Sequence, residues 1–201
     1  ALTGRWIPKQ WDRQPEEADF FTLKGIWELL AGALHIKGWS LRRAEFPFLH
    51  PSRSCALLCN GEAAGCLGML HPRVAQYLDI PSQTAVMEID VEPLLRAVNP
   101  VPEYREIPRF PAVQLDLAVV VREEVDAGDV EAVIREAGGE LLREVRLFDL
   151  YRGEQLQPGE KSLAYNLAFY ALDRTLRDEE AQVVWRKIVK SLGDRLGARL
   201  R

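Results

Sequence analysis

Four prolines, Pro100, Pro102, Pro108 and Pro111, fall between Val98 and Ala112, and this cluster limits the fold more than any other stretch of the chain. Each fixes φ and lacks an N–H, so neither a helix interior nor a central strand can run through the segment. Two blocks of periodic sequence remain, and the expected organisation is a first domain over 1–99, a Pro-rich linker over 100–109 and a second domain over 110–201. A chain of 201 residues, 47% apolar, is long enough for two small domains.

Several broad classes drop out. No run approaches 18 uncharged apolar residues, and the opening ALTGRWIPKQW has neither the charged nor the apolar region of a signal peptide, so a cytoplasmic protein is expected. The start at Ala1 rather than Met suggests a piece of something longer. Cys55, Cys59 and Cys66 are too few and too odd in number for a disulfide framework, which leaves reduced thiols. The net charge is −4, and from Phe110 onward 17 acidic residues outnumber 14 basic ones, so any nucleic-acid site must be local.

In the first block Leu23, Ile26, Trp27, Leu30 and Leu34 recur at helical spacing over Phe20 to His35. In CALLCNGEAAGCLGML, Asn60-Gly61 supplies the positive φ angles of a tight hairpin turn. Pro72 and Pro93 read as first-turn prolines of two short helices flanking the strand TAVMEIDV. The hairpin is expected to set Cys55 opposite Cys66, with Cys59, His50 and His71 nearby; without a CxxC pair or a known ligand spacing, buried thiols are expected there rather than a metal. GEAAGCLG has no lysine and no helix behind it, so it is not a phosphate loop.

The second block is more regular. A strand, DLAVVV, precedes a helix opened by Asp126 and Asp129 with Val130, Val133, Ile134 and Ala137 on one face; Gly138-Gly139 stops it. Two strands follow, LREVRLFDLYR and KSLAYNLAFYA, then a long helix for which Thr175 and Asp178 form a capping box, then the strand-like ARLR. The fold class is therefore α+β: an antiparallel α/β module followed by a βαββαβ ferredoxin-like sandwich, two helices on one face of a four-stranded antiparallel sheet.

Side-chain alternation separates the sheet's two faces. Leu163, Tyr165, Leu167 and Phe169 suit the core, leaving Ser162, Ala164, Asn166, Ala168 and Tyr170 opposite. In FDLYRG, Phe148 and Leu150 are assigned to the core and Leu147, Asp149 and Tyr151 to the open face, with Tyr151 across from Ser162 and Ala118 facing the same way. A shallow sheet carrying a protruding ring, an acceptor and hydroxyls can hold single-stranded RNA, a base stacking on the ring while polar groups read its edge. Arg143, Arg152 and Lys161 are candidate phosphate contacts. Such alternation is also common on solvated strands where nothing binds, and periodicity alone does not separate the two readings. No nucleophile, base and orienter can be assembled, and Glu123, Glu124 and Asp126 read as solvated carboxylates entering a helix.

The residues RFPAVQLDLAVVV (109–121), FDLYRG (148–153) and KSLAYNLAFYALDRTLRDEE (161–180), with the closing helix, resemble the ferredoxin-fold anticodon-binding domain of bacterial phenylalanyl-tRNA synthetase β subunits. Upstream, LTG (2–4), DFFTLKG (19–25), FLHPSRSC (48–55), GMLHP (68–72) and EIDVEPLL resemble the preceding module of that subunit, a partial class II synthetase-like core without catalytic function. The resemblance implies that Asp149, Tyr151 and Ser162 meet the anticodon of tRNA(Phe). It further implies an α2β2 enzyme in which the α subunit activates phenylalanine with ATP and magnesium, while this piece holds no cofactor and neither aminoacylates nor edits, the editing domain lying outside it. An amino-acid-binding regulatory module and a purely structural brace for the α subunit are the rival readings. The aromatics of the first domain, Trp6, Trp11, Trp27, Trp39, Phe46 and Phe48, are expected to mark a surface covered in the whole enzyme.

Overall fold

Apolar residues at two periods, about 2 and about 3.6, sort this chain into strands and helices that close two separate cores. The computed structural model describes residues 1–101, 104 and 109–201. It divides into two units, Ala1–Tyr104 and Arg105–Arg201. Most of the linker expected over 100–109, including Pro102 and Pro108, lies outside the described residues.

The first unit runs β1 (Leu2–Thr3), β2 (Arg5–Ile7), β3 (Glu16–Glu17), α1 (Phe20–Ala33), β4 (Trp39–Arg43), β5 (Leu49–Cys59), β6 (Glu62–Leu70), α2 (Pro72–Tyr77), β7 (Thr84–Ile89) and α3 (Val91–Ala97). Its main sheet has the order β1-β7-β6-β5-β4, every pair antiparallel. Helix α1 starts where Asp19 Oδ1 accepts from the Thr22 N–H and Thr22 Oγ1 accepts from the Asp19 N–H, a reciprocal cap of two free donors. It buries Leu23, Trp27 and Ala31 against Leu57, Leu67 and Ala85 of the sheet.

Asn60 (φ 51°) and Gly61 (φ 82°) make the turn between β5 and β6 as expected. The register differs from the sequence reading, because a bulge lets Ala64 slip out of the ladder, so that Cys66 pairs with Ala56 and Cys55 with Leu67. Cys55 and Cys66 therefore point to opposite faces. Burial pushes the Cys59 and Cys66 thiols up from their ordinary pKa. Pro72 opens α2, but α3 begins at Val91, which puts Pro93 third in its helix, still among the N–H groups that have no acceptor. Of the aromatics expected to mark a covered surface, Trp27 is enclosed, Trp39, Phe46 and Phe48 are half-buried, and Trp11 is 98% exposed.

The second unit runs β8 (Val113–Arg122), α4 (Ala127–Gly138), β9 (Leu142–Tyr151), β10 (Glu160–Phe169), α5 (Asp178–Leu196) and β11 (Arg199–Leu200), with a 3-10 turn at Gly139–Leu141. The sheet order β11-β8-β10-β9, all antiparallel, is the split βαβ arrangement expected from the sequence. Leu117, Val119 and Val121 of β8 and Leu163, Tyr165, Leu167 and Phe169 of β10 pack against Val130, Val133 and Ile134 of α4 and Ile188 and Leu192 of α5. Each such side chain fully removed from water is worth about 1.5–3 kcal/mol. Helix α5 begins two residues later than a Thr175–Asp178 box requires: Arg177 is the cap residue, and Glu180 accepts from its N–H. Two hydrogen bonds from Arg174 also reach Glu180 and, with the Arg177 N–H, hold its carboxyl down at about 2.

Candidate nucleic-acid interface

Both helices of the second unit pack on one side of its sheet, which leaves the other side without a packed element among the described residues of the unit. Antiparallel pairing puts directly opposed residues on the same face, so the ladder defines what this open face carries. One row across the sheet is Tyr151–Ser162–Val120–Arg199, and the next is Asp149–Ala164–Ala118. Alanines at the centre keep the floor low, so the Tyr151 ring and the exposed Asp149 carboxylate rise at its edge. Asp149 has no side-chain hydrogen bond among the described residues.

The sequence around Tyr151 is shaped to that ring. A Cβ at Gly153 would run into the Tyr151 hydroxyl and the ring carbon that carries it, which accounts for the glycine that ends FDLYRG. The ring face is covered by the Arg201 guanidinium, whose central carbon lies 4.4 Å from the ring centroid. Arg201 is itself held by Nη2 donating to Gln155 Oε1 (3.0 Å) and by its N–H donating to the Ala118 carbonyl (3.1 Å). Sequence reasoning passed over Arg201 and Gln155; the strand-like ARLR was the only signal that β11 would carry an arginine onto this face. Ser162 sits beside Tyr151 but is only 2% exposed, so its hydroxyl is a floor group rather than a projecting one.

The basic residues named from sequence fare differently from one another. Lys161 pairs with Val121 on the helix-side face, is 5% exposed, and donates from Nζ to the Glu123 carbonyl at 2.8 Å. It ties the loop after β8 to the β9–β10 hairpin and is not presented for phosphate. Arg152 donates to the Glu123 carboxylate (Nη2–Oε1 2.6 Å), a bond that raises its pKa and neutralises it on site. Arg143 lies over the Tyr170 ring at 5.6 Å and remains exposed.

The assignment of FDLYRG by simple alternation needs correction. Strand β9 bulges between Asp149 and Leu147, leaving Phe148 as the unpaired extra residue, 55% exposed rather than in the core. Leu147 pairs with Tyr165 and so leaves the open face. Leu150 does share the helix-side face with Leu163, but it lies at a sheet edge that the helices do not cover and is 42% exposed. Beyond the bulge the parity is reversed: Arg146, which uninterrupted alternation would send to the core, pairs with Asn166 on the open face.

Comparison with known proteins finds a match for each of the two parts of the chain. Residues 108–201 match the ferredoxin-fold anticodon binding domain, and residues 1–91 match the phenylalanyl tRNA synthetase beta chain CLM domain. The chain is 45% identical over its whole length to the phenylalanine–tRNA ligase beta subunit of Symbiobacterium thermophilum, covering 22% of that protein. Over 96% of its length it is 43% identical to the corresponding subunit of Moorella thermoacetica, covering 24%, and over its whole length 39% identical to that of Bacillus subtilis, covering 25%. It thus spans about a quarter of the length of these curated relatives. With both domain types present in order and identity running from end to end, the chain belongs to the phenylalanine–tRNA ligase β-subunit family.

Proposed function

We propose that the open face of the second unit binds the anticodon stem-loop of tRNA(Phe), and that through it the chain serves an α2β2 phenylalanine–tRNA ligase whose α subunit carries out the ATP- and magnesium-dependent chemistry. The observation that carries this reading is the register: Tyr151 and Asp149 stand side by side above the low floor made by Ser162, Ala164 and Ala118. A base stacks on the Tyr151 ring and Asp149 accepts from a donor on its edge, so the ring supplies affinity and the carboxylate selects among bases.

Arg201 occupies the ring face in the free chain, and relative magnitudes decide the competition. An exposed cation–π contact is worth about 0.5–1 kcal/mol, whereas a stacked base contributes about 1–3 kcal/mol. A base displaces the guanidinium, which stays close enough to turn to the incoming phosphate. The described residues of this face offer a ring, a carboxylate and guanidinium groups, which suit recognition and positioning.

The test is a fluorescence titration of the 201-residue chain with the anticodon stem-loop of tRNA(Phe), with the same stem-loop carrying a changed anticodon, and with free phenylalanine. Saturable binding that prefers the cognate loop supports the proposal. Binding of phenylalanine with no binding of either RNA replaces it by an amino-acid-sensing module.

A further inference from the structure

The open face does not end at Asp149. Along β10 the same parity continues through Asn166 and Ala168 to Tyr170, with the rows Arg146–Asn166–Asp116 and Glu144–Ala168–Gln114 crossing the sheet. Asn166 Nδ2 donates to Asp116 Oδ1 at 2.8 Å, which fixes the amide and leaves its carbonyl oxygen free to accept. Arg146 is exposed and makes no ion pair or hydrogen bond among the described residues. At the far end the half-buried Tyr170 ring carries the Arg143 guanidinium 5.6 Å from its centroid, and Arg143 occupies the second bulge of β9. The two ends of one face thus repeat a single arrangement, a tyrosine ring under a guanidinium beside edge-reading polar groups.

We propose that Tyr170 and Arg143 form a second base platform, which takes an unpaired loop nucleotide outside the anticodon while Arg146 meets the phosphate backbone between the two platforms. This rests on the RNA-binding reading of the face given above. Tyr170, the residue after β10, lies eight residue steps beyond Ser162, which is opposite Tyr151, a span of about 26 Å at about 3.3 Å per residue. Four-stranded βαββαβ sheets that hold single-stranded RNA stack two or three bases on open-face aromatics, and footprints of about 4 nucleotides or more on one small domain are ordinary. The unneutralised Arg146 lies between the rings, where an extended backbone must cross.

The experiment is a titration of the 201-residue chain and its variants with the anticodon stem-loop of tRNA(Phe), intact or with single loop nucleotides made abasic. Tyr170→Ala is expected to raise Kd about 5- to 150-fold and Tyr170→Phe to leave it near the parent value. Tyr170→Leu keeps the buried apolar area without the π-face, so it should weaken binding as Ala does even if Tyr170→Ala lowers the Tm. The abasic loop that removes the base stacked on Tyr170 should show no further loss with Tyr170→Ala, and Arg146→Ala should reduce the slope of log Kd against log salt by about 1. If Tyr170→Ala and Tyr170→Leu bind like the parent while Tyr151→Ala is weakened, the second platform is wrong and the anticodon reading stands. If all three bind like the parent, both fail.

Discussion

Two tyrosines on the same small sheet show how differently one side chain can be used. Tyr165 of β10 faces the helices, is fully enclosed, and donates its hydroxyl to the Ala127 carbonyl at the start of α4 (3.1 Å). Burial drives its pKa well above the ordinary phenol value. Tyr151 of β9 faces the other way, is half-buried, and carries the exposed guanidinium of Arg201 on its ring. The first ring belongs to the fold, and the second stands on the face proposed to bind RNA. Their separation follows from strand parity alone, since Tyr165 shares its face with Leu163 and Leu167, while Tyr151 is paired with Ser162.

The largest expected effect is on the fold. Tyr165→Ala should cost about 3–5 kcal/mol in urea unfolding of the second unit, because a fully buried aromatic is removed and the space cannot close completely. Tyr165→Phe should cost about 0.5–1.5 kcal/mol, the worth of the hydrogen bond to Ala127. Neither change should alter the stem-loop affinity of the fraction that remains folded; a clear affinity loss in Tyr165→Phe would blur the division between the faces.

Lys161 sharpens the same comparison. As a buried donor on the helix side, Lys161→Ala should lower stability by about 1–3 kcal/mol while leaving the salt dependence of RNA binding unchanged. A reduced salt slope would return it to the open face. The smallest effect concerns Glu180. Its folded-state pKa, about 2, lies below the ordinary 4.5, so it adds stability that is present above about pH 4.5 and is lost as the pH falls through about 2. The Tm gap between the parent and Glu180→Gln should therefore be seen at neutral pH and vanish near pH 2; a gap that persists in acid would assign the effect to something other than the Arg174 and Arg177 contacts.

How much of this was legible in the sequence depends on where a strand lies in its sheet. Strand β10 is flanked on both sides, its ladder with β8 is unbroken from Glu160 to Phe169, and period-2 reading assigned Ser162 through Phe169 to the correct faces. Strand β9 is at the edge. Two bulges shift its register, and nothing in the residue types of Leu147-Phe148 announces the first of them, so alternation misplaced Leu147 and Phe148 and hid Arg146. The β5–β6 hairpin failed for the same reason, with its turn read correctly from Asn60-Gly61 and its register displaced by one at Ala64. Lys161 was misjudged because a long amphipathic side chain gives no sequence sign that its ammonium group will find a carbonyl, here that of Glu123. Arg201 was missed because its role depends on two strands far apart in sequence meeting across the sheet.

The central claim is that Tyr151 is a recognition residue and not a packing residue. Its most direct test is to measure, for Tyr151→Ala, both the stem-loop Kd and the Tm of the chain, with Tyr151→Phe as control. The account predicts a Kd raised about 5- to 150-fold with the Tm nearly unchanged, and parent-like values of both for Tyr151→Phe. A Tyr151→Ala chain that melts early while its folded fraction binds RNA with parent affinity would contradict it.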